Sequence, residues 1–399
     1  MPRRGADAAA AGAPAATARL SWEQVCARRL RRQGLDAPWP DAGPADVAGA
    51  LGGVHAQVMA AAEVSVCIRL AGAGRDAVRA ALWQERTLVK TRGPRGTVHL
   101  LASVDLPLWT GALGAVAAAA GQAPGAGLTR AQADAVVAAI GDALEDAADL
   151  TADELTDAIV RRTGAWAAEP AMEAFQGKWP RWMGAMSAAS NAGAMCFGPN
   201  RGRRVTYTSP RRWLPDFRPQ PGEAAVAEVL RRYLRAFGPA TPAHFARWLA
   251  APPKWASDRF ASLGDALQPV DVEGETAWVV AGDTEAPPAP PRGVRLLPYF
   301  DAYAVGCFPR ERLFPGKAYT RALARGQAGN YPLLLIDGVV AGVWHQRRAG
   351  KTIEFTVEPF GRLSAARGRE LEAQVQRVGE LLEGTPRLTV GPVTAGAHA

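Results

Sequence analysis

At 399 residues, of which 48% are hydrophobic, the chain is long enough for about two to four domains with sizeable cores, which excludes a disordered class. The net charge of +8 and pI near 9.7 come almost wholly from arginine, since lysine occurs only at Lys90, Lys178, Lys254, Lys317 and Lys351; such a surface attracts polyanions, nucleic acid among them. Cys26, Cys67, Cys196 and Cys307 lie far apart with no Cys-x-x-Cys pair and no His in ligand spacing, so a zinc or disulfide framework is not expected and a reducing, intracellular setting fits.

Residues 1–18 carry two arginines but no continuous apolar run and read as a disordered leader. The small-apolar stretch Gly111 to Gly121 is too short to span a bilayer, and the expectation is a cytoplasmic monomer without membrane contact, cofactor or metal. Ser21-Trp22-Glu23-Gln24 opens a helix predicted to run to about Gln33, with Arg28, Arg29, Arg31 and Arg32 in its last turns, where they suit the helix dipole and are expected to form a solvated face. After the Pro- and Asp-rich loop 36–44, a short helix from about Ala45 runs into Gly52-Gly53-Val54-His55-Ala56-Gln57. Two hydrogen-bonding side chains stand there two residues apart in an apolar run. On a helix they would point roughly opposite ways, so His55 and Gln57 can share a site only on an extended or irregular segment, which the glycine pair permits.

A helix over 75–84 precedes strands at 87–91 and 97–101, joined by Gly93-Pro94-Arg95-Gly96. Helices followed by a hairpin with a basic turn outline a winged helix-turn-helix. The outline returns: helices at 130–145, from the capping box Thr151-Ala152-Asp153-Glu154, and at 179–192 precede strands at 195–197 and 205–208 around a turn carrying Arg201, Arg203 and Arg204. A third round has helices at 222–237, from N-cap Thr241 with Pro242, and at 253–263, then strands meeting at Glu273-Gly274, an acidic wing less suited to a phosphate backbone. The expected organisation is winged modules over 19–105, 106–212 and 213–283, a stiff Pro-rich linker over 284–293, and a β-rich region over 294–399. In that last region Leu296 to Tyr303, Tyr331 to Ile336, Val339 to His345 and Thr352 to Val357 read as strands, with Asp337-Gly338 a hairpin turn; Arg347, Arg348 and Lys351 crowd another turn, and a helix over 364–382 and a strand near Leu388 close the chain.

Leu51 to Gln57, Cys67-Ile68-Arg69-Leu70, Arg95 to Leu100, Cys196-Phe197-Gly198-Pro199, Leu296 to Asp301 and Asp337 to Trp344 occur in an order that resembles the AlkZ-like winged-helix DNA glycosylases, over essentially the whole chain after the leader. The resemblance implies an α+β fold of tandem winged helix-turn-helix modules with a C-terminal β-rich region, in a C-shaped, DNA-binding architecture. It also implies a monofunctional glycosylase that removes bulky N7-alkylguanine adducts from double-stranded DNA and leaves an abasic site. The family's catalytic motif is Gln, an apolar residue, Gln. Here His55 stands first and Gln57 second, which is similar to the subgroup associated with self-resistance to intercalating, guanine-alkylating natural products.

An N7-alkylated guanine is already cationic and leaves without protonation, so what remains is to stabilise an oxocarbenium-like sugar and position a water for attack at C1′. Gln57 can hold that water, and a neutral His55 can take its proton. Asp301 is a possible electrostatic partner, and Tyr303 and Trp344 possible site-lining aromatics. Arg95, Arg201, Arg203, Arg204, Arg347, Arg348 and Lys351 are the expected DNA contacts. His99, on a strand, is expected to be structural, as are Trp179, Trp182, Trp213, Trp248 and Trp255. The alternative class is a winged-helix transcription regulator, but such proteins usually pair one reading head with a dimerisation element, and here three head-like units recur without a coiled-coil pattern.

Overall fold

The computed structural model describes residues 18–397 apart from 122 and 174–176, so the leader expected over 1–18 lies outside the described residues except for Ala18. That residue opens β1 (Ala18–Leu20), which leads into α1 (Trp22–Arg32), capped reciprocally by Ser21 and Gln24. Then come α2 (Pro44–Ala50), the two-residue strand β2 (Val54–His55), α3 (Met59–Cys67), α4 (Arg75–Trp83) and the hairpin β3 (Leu88–Arg92) and β4 (Val98–Ala102). β4 lies between β2 and β3 in one antiparallel sheet. The turn from α2 into β2 needs the glycine pair: Gly53 has φ +104°, and a Cβ there would lie 2.7 Å from the Leu101 side chain on β4.

The second unit comprises α5 (Leu106–Ala119), α6 (Arg130–Asp146), β5 (Leu150–Thr151), α7 (Ala152–Thr163), β6 (Pro170–Glu173), β7 (Lys178–Pro180), α8 (Met186–Asn191) and the wing β8 (Cys196–Arg201) and β9 (Arg204–Thr208). The single helix expected over 179–192 is instead a strand, a 3-10 turn at Arg181–Ala185 and the short α8. Pro180 cannot donate to a helix, and Gly184 packs so tightly on Gly125 that a Cβ would lie 2.5 Å from its carbonyl oxygen. The third unit is α9 (Gly222–Phe237), α10 (Pro242–Leu249), α11 (Pro253–Leu263) and the hairpin β10 (Leu267–Val272) and β11 (Glu275–Val280). β1 adds to β10 in parallel, so the start of the described chain belongs to this third wing.

The C-terminal region contains β12 (Val294–Leu297), α12 (Ala302–Gly306), α13 (Arg310–Leu313), α14 (Lys317–Arg321), β13 (Leu333–Ile336), β14 (Val339–Ala349), β15 (Thr352–Pro359), α15 (Ala365–Leu381) and β16 (Thr385–Val390). Its five strands run in the order β12-β13-β14-β15-β16, with α15 packed on β12 and β16. The strand expected over 296–303 stops at Leu297. Pro298 removes a ladder donor, Phe300 sits in the left-handed region at φ +56°, and the Asp301 side chain caps α12 by accepting from the Tyr303 N–H.

The architecture is therefore α+β, with tandem winged helix-turn-helix units and a β-rich C-terminal region. One large apolar cluster runs from α1 through α5, α9 and α10 into the C-terminal sheet; the second unit has a cluster of its own around Trp182. Not all of the α1 arginines form the expected solvated face. Arg31 does, but Arg28 and Arg29 are each 1% exposed. Arg29 donates to the carbonyls of Phe237, Pro239 and Phe308, serving the orphan end of α9, while Arg28 and Arg32 converge on Asp283. The Pro-rich stretch 284–293 forms neither helix nor strand and is packed down, with Pro287 and Pro291 buried and the Glu285 carbonyl held by Arg28. All four cysteines are buried thiols, and burial pushes Cys26 and Cys67 up to about 12. Among the described residues no helix is long and apolar enough to cross a membrane.

Candidate active site

β2 supplies the extended segment that the spacing of His55 and Gln57 demands. Val54 pairs with Leu100 and His55 with His99 on β4, and the Ala56 N–H donates to the Val98 carbonyl at 2.7 Å. Ala56 is buried at 1% exposure, whereas His55 is half-buried and Gln57 exposed. The period-two alternation thus leaves the imidazole and the carboxamide accessible while the residue between them packs into the core. The Gln57 backbone N–H points at His55 Nδ1 from 3.5 Å.

Two rings hold the imidazole. Phe300, from the C-terminal region, stacks on it with centroids 4.3 Å apart and planes 25° from parallel. His99 meets it edge-on at 5.2 Å and 68°. His99 is itself buried, donates from Nδ1 to the Thr97 carbonyl, and lies so close to Gly93 that a Cβ there would be 2.9 Å from its ring. Burial, with repulsion from Arg95 and His55, holds its imidazole well below the ordinary histidine range. His99 is therefore structural in the sense expected, yet it is also a wall of the site. Neither its contact with His55 nor that of Phe300 has a local signature, because the first depends on strand register and the second on two segments far apart in the chain.

Asp301 does not face this pocket as a free acid. It is 1% exposed, and Arg69 grips both its oxygens at 2.7 and 2.8 Å, with the Ser65 hydroxyl donating at 2.7 Å. Its carboxylate anchors the loop that carries Phe300. Tyr303 and Trp344 are likewise core residues and not site-lining aromatics: Tyr303 donates to the Gly338 carbonyl at 2.7 Å and Trp344 to the Leu297 carbonyl at 2.9 Å. Both are buried because an indole or phenol whose polar atom finds a backbone carbonyl can enter the core without penalty.

The expected DNA-contacting cations divide into paired and unpaired. Arg201 and Arg204 pair with Glu154 and Asp153 at the start of α7, Arg347 pairs with Glu354, and Arg348 donates to the Leu382 carbonyl near the end of α15. The Glu154 carboxyl, bonded by Arg201 and by Thr151, is held down at about 2. Arg203 and Lys351 are exposed and form no ion pair among the described residues. Arg95 does not project as a wing tip; partly buried, at φ +62°, it donates to the Trp248 carbonyl of α10, and burial lowers its guanidinium to about 10. That bond places it one residue from Arg247, which is exposed, lies over the Phe308 ring and forms no ion pair among the described residues. Arg247 carried no sequence signal, since a lone arginine on a helix after an acidic-winged prediction reads as solvated surface.

Beside Arg247, His244 accepts from the Thr241 N–H as the third residue of the α10 cap and stacks on Phe308. Burial, and repulsion from Arg29, Arg247 and Arg310, bring its imidazole down to about 4. A folded-state value below the unfolded one of about 6.5 means that the stabilisation is present above pH 6.5 and is lost as pH falls toward 4. We expect His244→Gln, which keeps the cap acceptor but cannot titrate, to remove about 2–3 kcal/mol of the stability change between pH 7 and 4 in urea unfolding. An unchanged pH slope would show that His244 has the same proton affinity in the folded and unfolded protein.

Comparison with known proteins bears on this geometry. Residues 48–381, which contain both the His55-Ala56-Gln57 segment and the Phe300 loop, match the family model described as DNA glycosylase AlkZ-like. The chain is 34% identical over 353 residues, 82% of its own length and 88% of the relative's, to an interstrand DNA cross-link repair glycosylase of Streptomyces sahachiroi. It is also similar to the solved structure of Streptomyces sahachiroi DNA glycosylase AlkZ, with a TM-score of 0.79 and 29% identity, covering 93% of this chain and 100% of that one. A match over most of the chain, spanning the site and all the units that position it, shows that the protein belongs to the AlkZ-like family of DNA glycosylases.

Proposed function

We propose that this glycosylase hydrolyses the N-glycosidic bond of bulky N7-alkylguanine adducts in double-stranded DNA, leaving an abasic site, and that it serves self-resistance to an intercalating, DNA-alkylating natural product. The observation that carries the reading is the chemical character of the accessible pair. Gln57 is exposed and His55 half-buried while the neighbouring carboxylate, Asp301, is committed to Arg69, so the motif offers a base and a water-holding amide but no strong acid. That suits a leaving group that brings its own positive charge.

In this reading Gln57 holds the attacking water and His55 takes its proton. Burial of a large adduct against the stacked Phe300 and His55 rings needs no assumption that the nucleotide is flipped from the helix.

Arg203, Lys351 and Arg247 support the reading as phosphate contacts, being exposed cations with no carboxylate to neutralise them among the described residues. Arg247→Ala should weaken binding to duplex DNA and reduce the slope of log affinity against log salt by about one. An unaltered slope would remove α10 from the DNA interface. The reaction itself is tested by incubating the protein with an oligonucleotide bearing a defined bulky N7-alkylguanine and looking for strand scission after mild alkali. Tight binding of one unmodified sequence with no excision from a panel of such adducts would sink the proposal.

A further inference from the structure

We infer that Phe300 is a positioning residue for this chemistry: presented by the C-terminal region, it locks the His55 ring and stabilises the imidazolium formed when His55 takes the water's proton. The inference rests on the proposed role of His55 and adds a residue from outside the motif. Phe300 lies almost parallel to His55 at 4.3 Å, within the distance at which an aromatic face attracts a cation. Its backbone is in the left-handed region at φ +56°, unfavourable for a bulky side chain, and it is kept there from both sides. The Phe300 N–H donates to the Gly329 carbonyl at 3.0 Å, and Gly329 approaches so closely that a Cβ on it would lie 2.9 Å from the Phe300 ring. The next residue is Asp301, fully buried and fixed by Arg69 and Ser65 on the α3 side. A strained conformation held by a buried ion pair is a site where position matters more than local stability.

The charges around His55 make the stack useful. On the β4 side stands His99, neutral through burial, with Arg95 behind it in the β3–β4 turn; behind Phe300 the Asp301 and Arg69 charges cancel each other. The Arg95 charge opposes an imidazolium at His55, and the Phe300 face offsets it. In the step itself an O–H bond of water breaks and its proton passes to the His55 imidazole, the oxygen bonds to C1′, and the C1′–N9 electron pair passes to the base, cancelling the charge of the alkylated ring. The imidazolium then returns its proton to solvent.

The test compares Phe300→Leu, similar in bulk but without a π face, with Phe300→Tyr, which retains one. The first readout is the titration of the His55 ring protons by NMR in the DNA-free protein, assigned among the five histidines with His55→Gln. We expect Phe300→Leu to lower the His55 midpoint by about half a pH unit and Phe300→Tyr to leave it in place. The second is the single-turnover rate against pH: the acid limb should move down by the same interval in Phe300→Leu, with the plateau reduced by about 3–10-fold and affinity for unmodified duplex DNA unchanged. A His55 midpoint that stays put in Phe300→Leu, or that moves equally in both variants, overturns the inference. Because the NMR readout requires no turnover, it decides the stack even if excision proves independent of His55, an outcome that would instead overturn the proposed base.

Discussion

Replacing His55 or Gln57 with alanine is expected to slow excision of a bulky N7-alkylguanine by at least about 10-fold each, a barrier increase of about 1.4 kcal/mol or more, without loss of fold. His55 is half-buried and Gln57 exposed, so neither truncation opens a core cavity. The two variants should differ in kind. His55→Ala removes the proton acceptor and should erase the acid limb of the pH–rate profile, whereas Gln57→Ala removes the water's holder and should depress the plateau while leaving the limb. His55→Gln, which restores the family's usual Gln-x-Gln pattern, should keep a pH-independent fraction of activity. Single-turnover kinetics on one defined adduct makes all three comparisons, and wild-type rates in both alanine variants would remove the motif from the mechanism.

The second large effect concerns Asp301. Asp301→Ala leaves the Arg69 guanidinium at 0% exposure with no counter-ion, a change that typically costs about 3–5 kcal/mol, to be read from urea or thermal unfolding. Since a buried pair can often be exchanged for apolar residues at little cost, Arg69→Met with Asp301→Leu should recover most of that loss. Excision should not recover with it, because the double variant restores packing but no longer pins the loop that presents Phe300. A loss below about 1 kcal/mol in Asp301→Ala would mean that Arg69 finds water or another acceptor. Full activity in the stable double variant would mean that the loop needs no anchor.

Much of the fold was legible because its signals are local. Ser21 with Gln24, Thr151 with Glu154 and Thr241 followed by Pro242 mark helix starts by hydrogen bonds that span three residues, and each is a cap in the structure. Asp337-Gly338 is a hairpin turn for a similarly local reason, both residues having positive φ. The failures share the opposite property. Residues 298–303 have strand-like composition, but Pro298 and the left-handed Phe300 break the strand so that Asp301 can reach Arg69, 232 positions away. Arg28 and Arg29 look like surface charges until the end of α9 and the segment after β11 arrive to accept their hydrogen bonds.

The same division holds at the site. Two polar residues flanking an apolar one after a glycine pair require an extended backbone to act together, and that follows from the alternation of a strand whatever the rest of the chain does. Basic composition likewise shows that the protein can attract a polyanion, but not which arginines remain available for it. Only the tertiary structure decided that Arg201, Arg204 and Arg347 are partly neutralised by Glu154, Asp153 and Glu354 while Arg247 is left unpaired among the described residues. It alone set His55 between His99 and Phe300, because strand register and a buried ion pair act between residues that the chain separates by tens to hundreds of positions, where no spacing rule reaches.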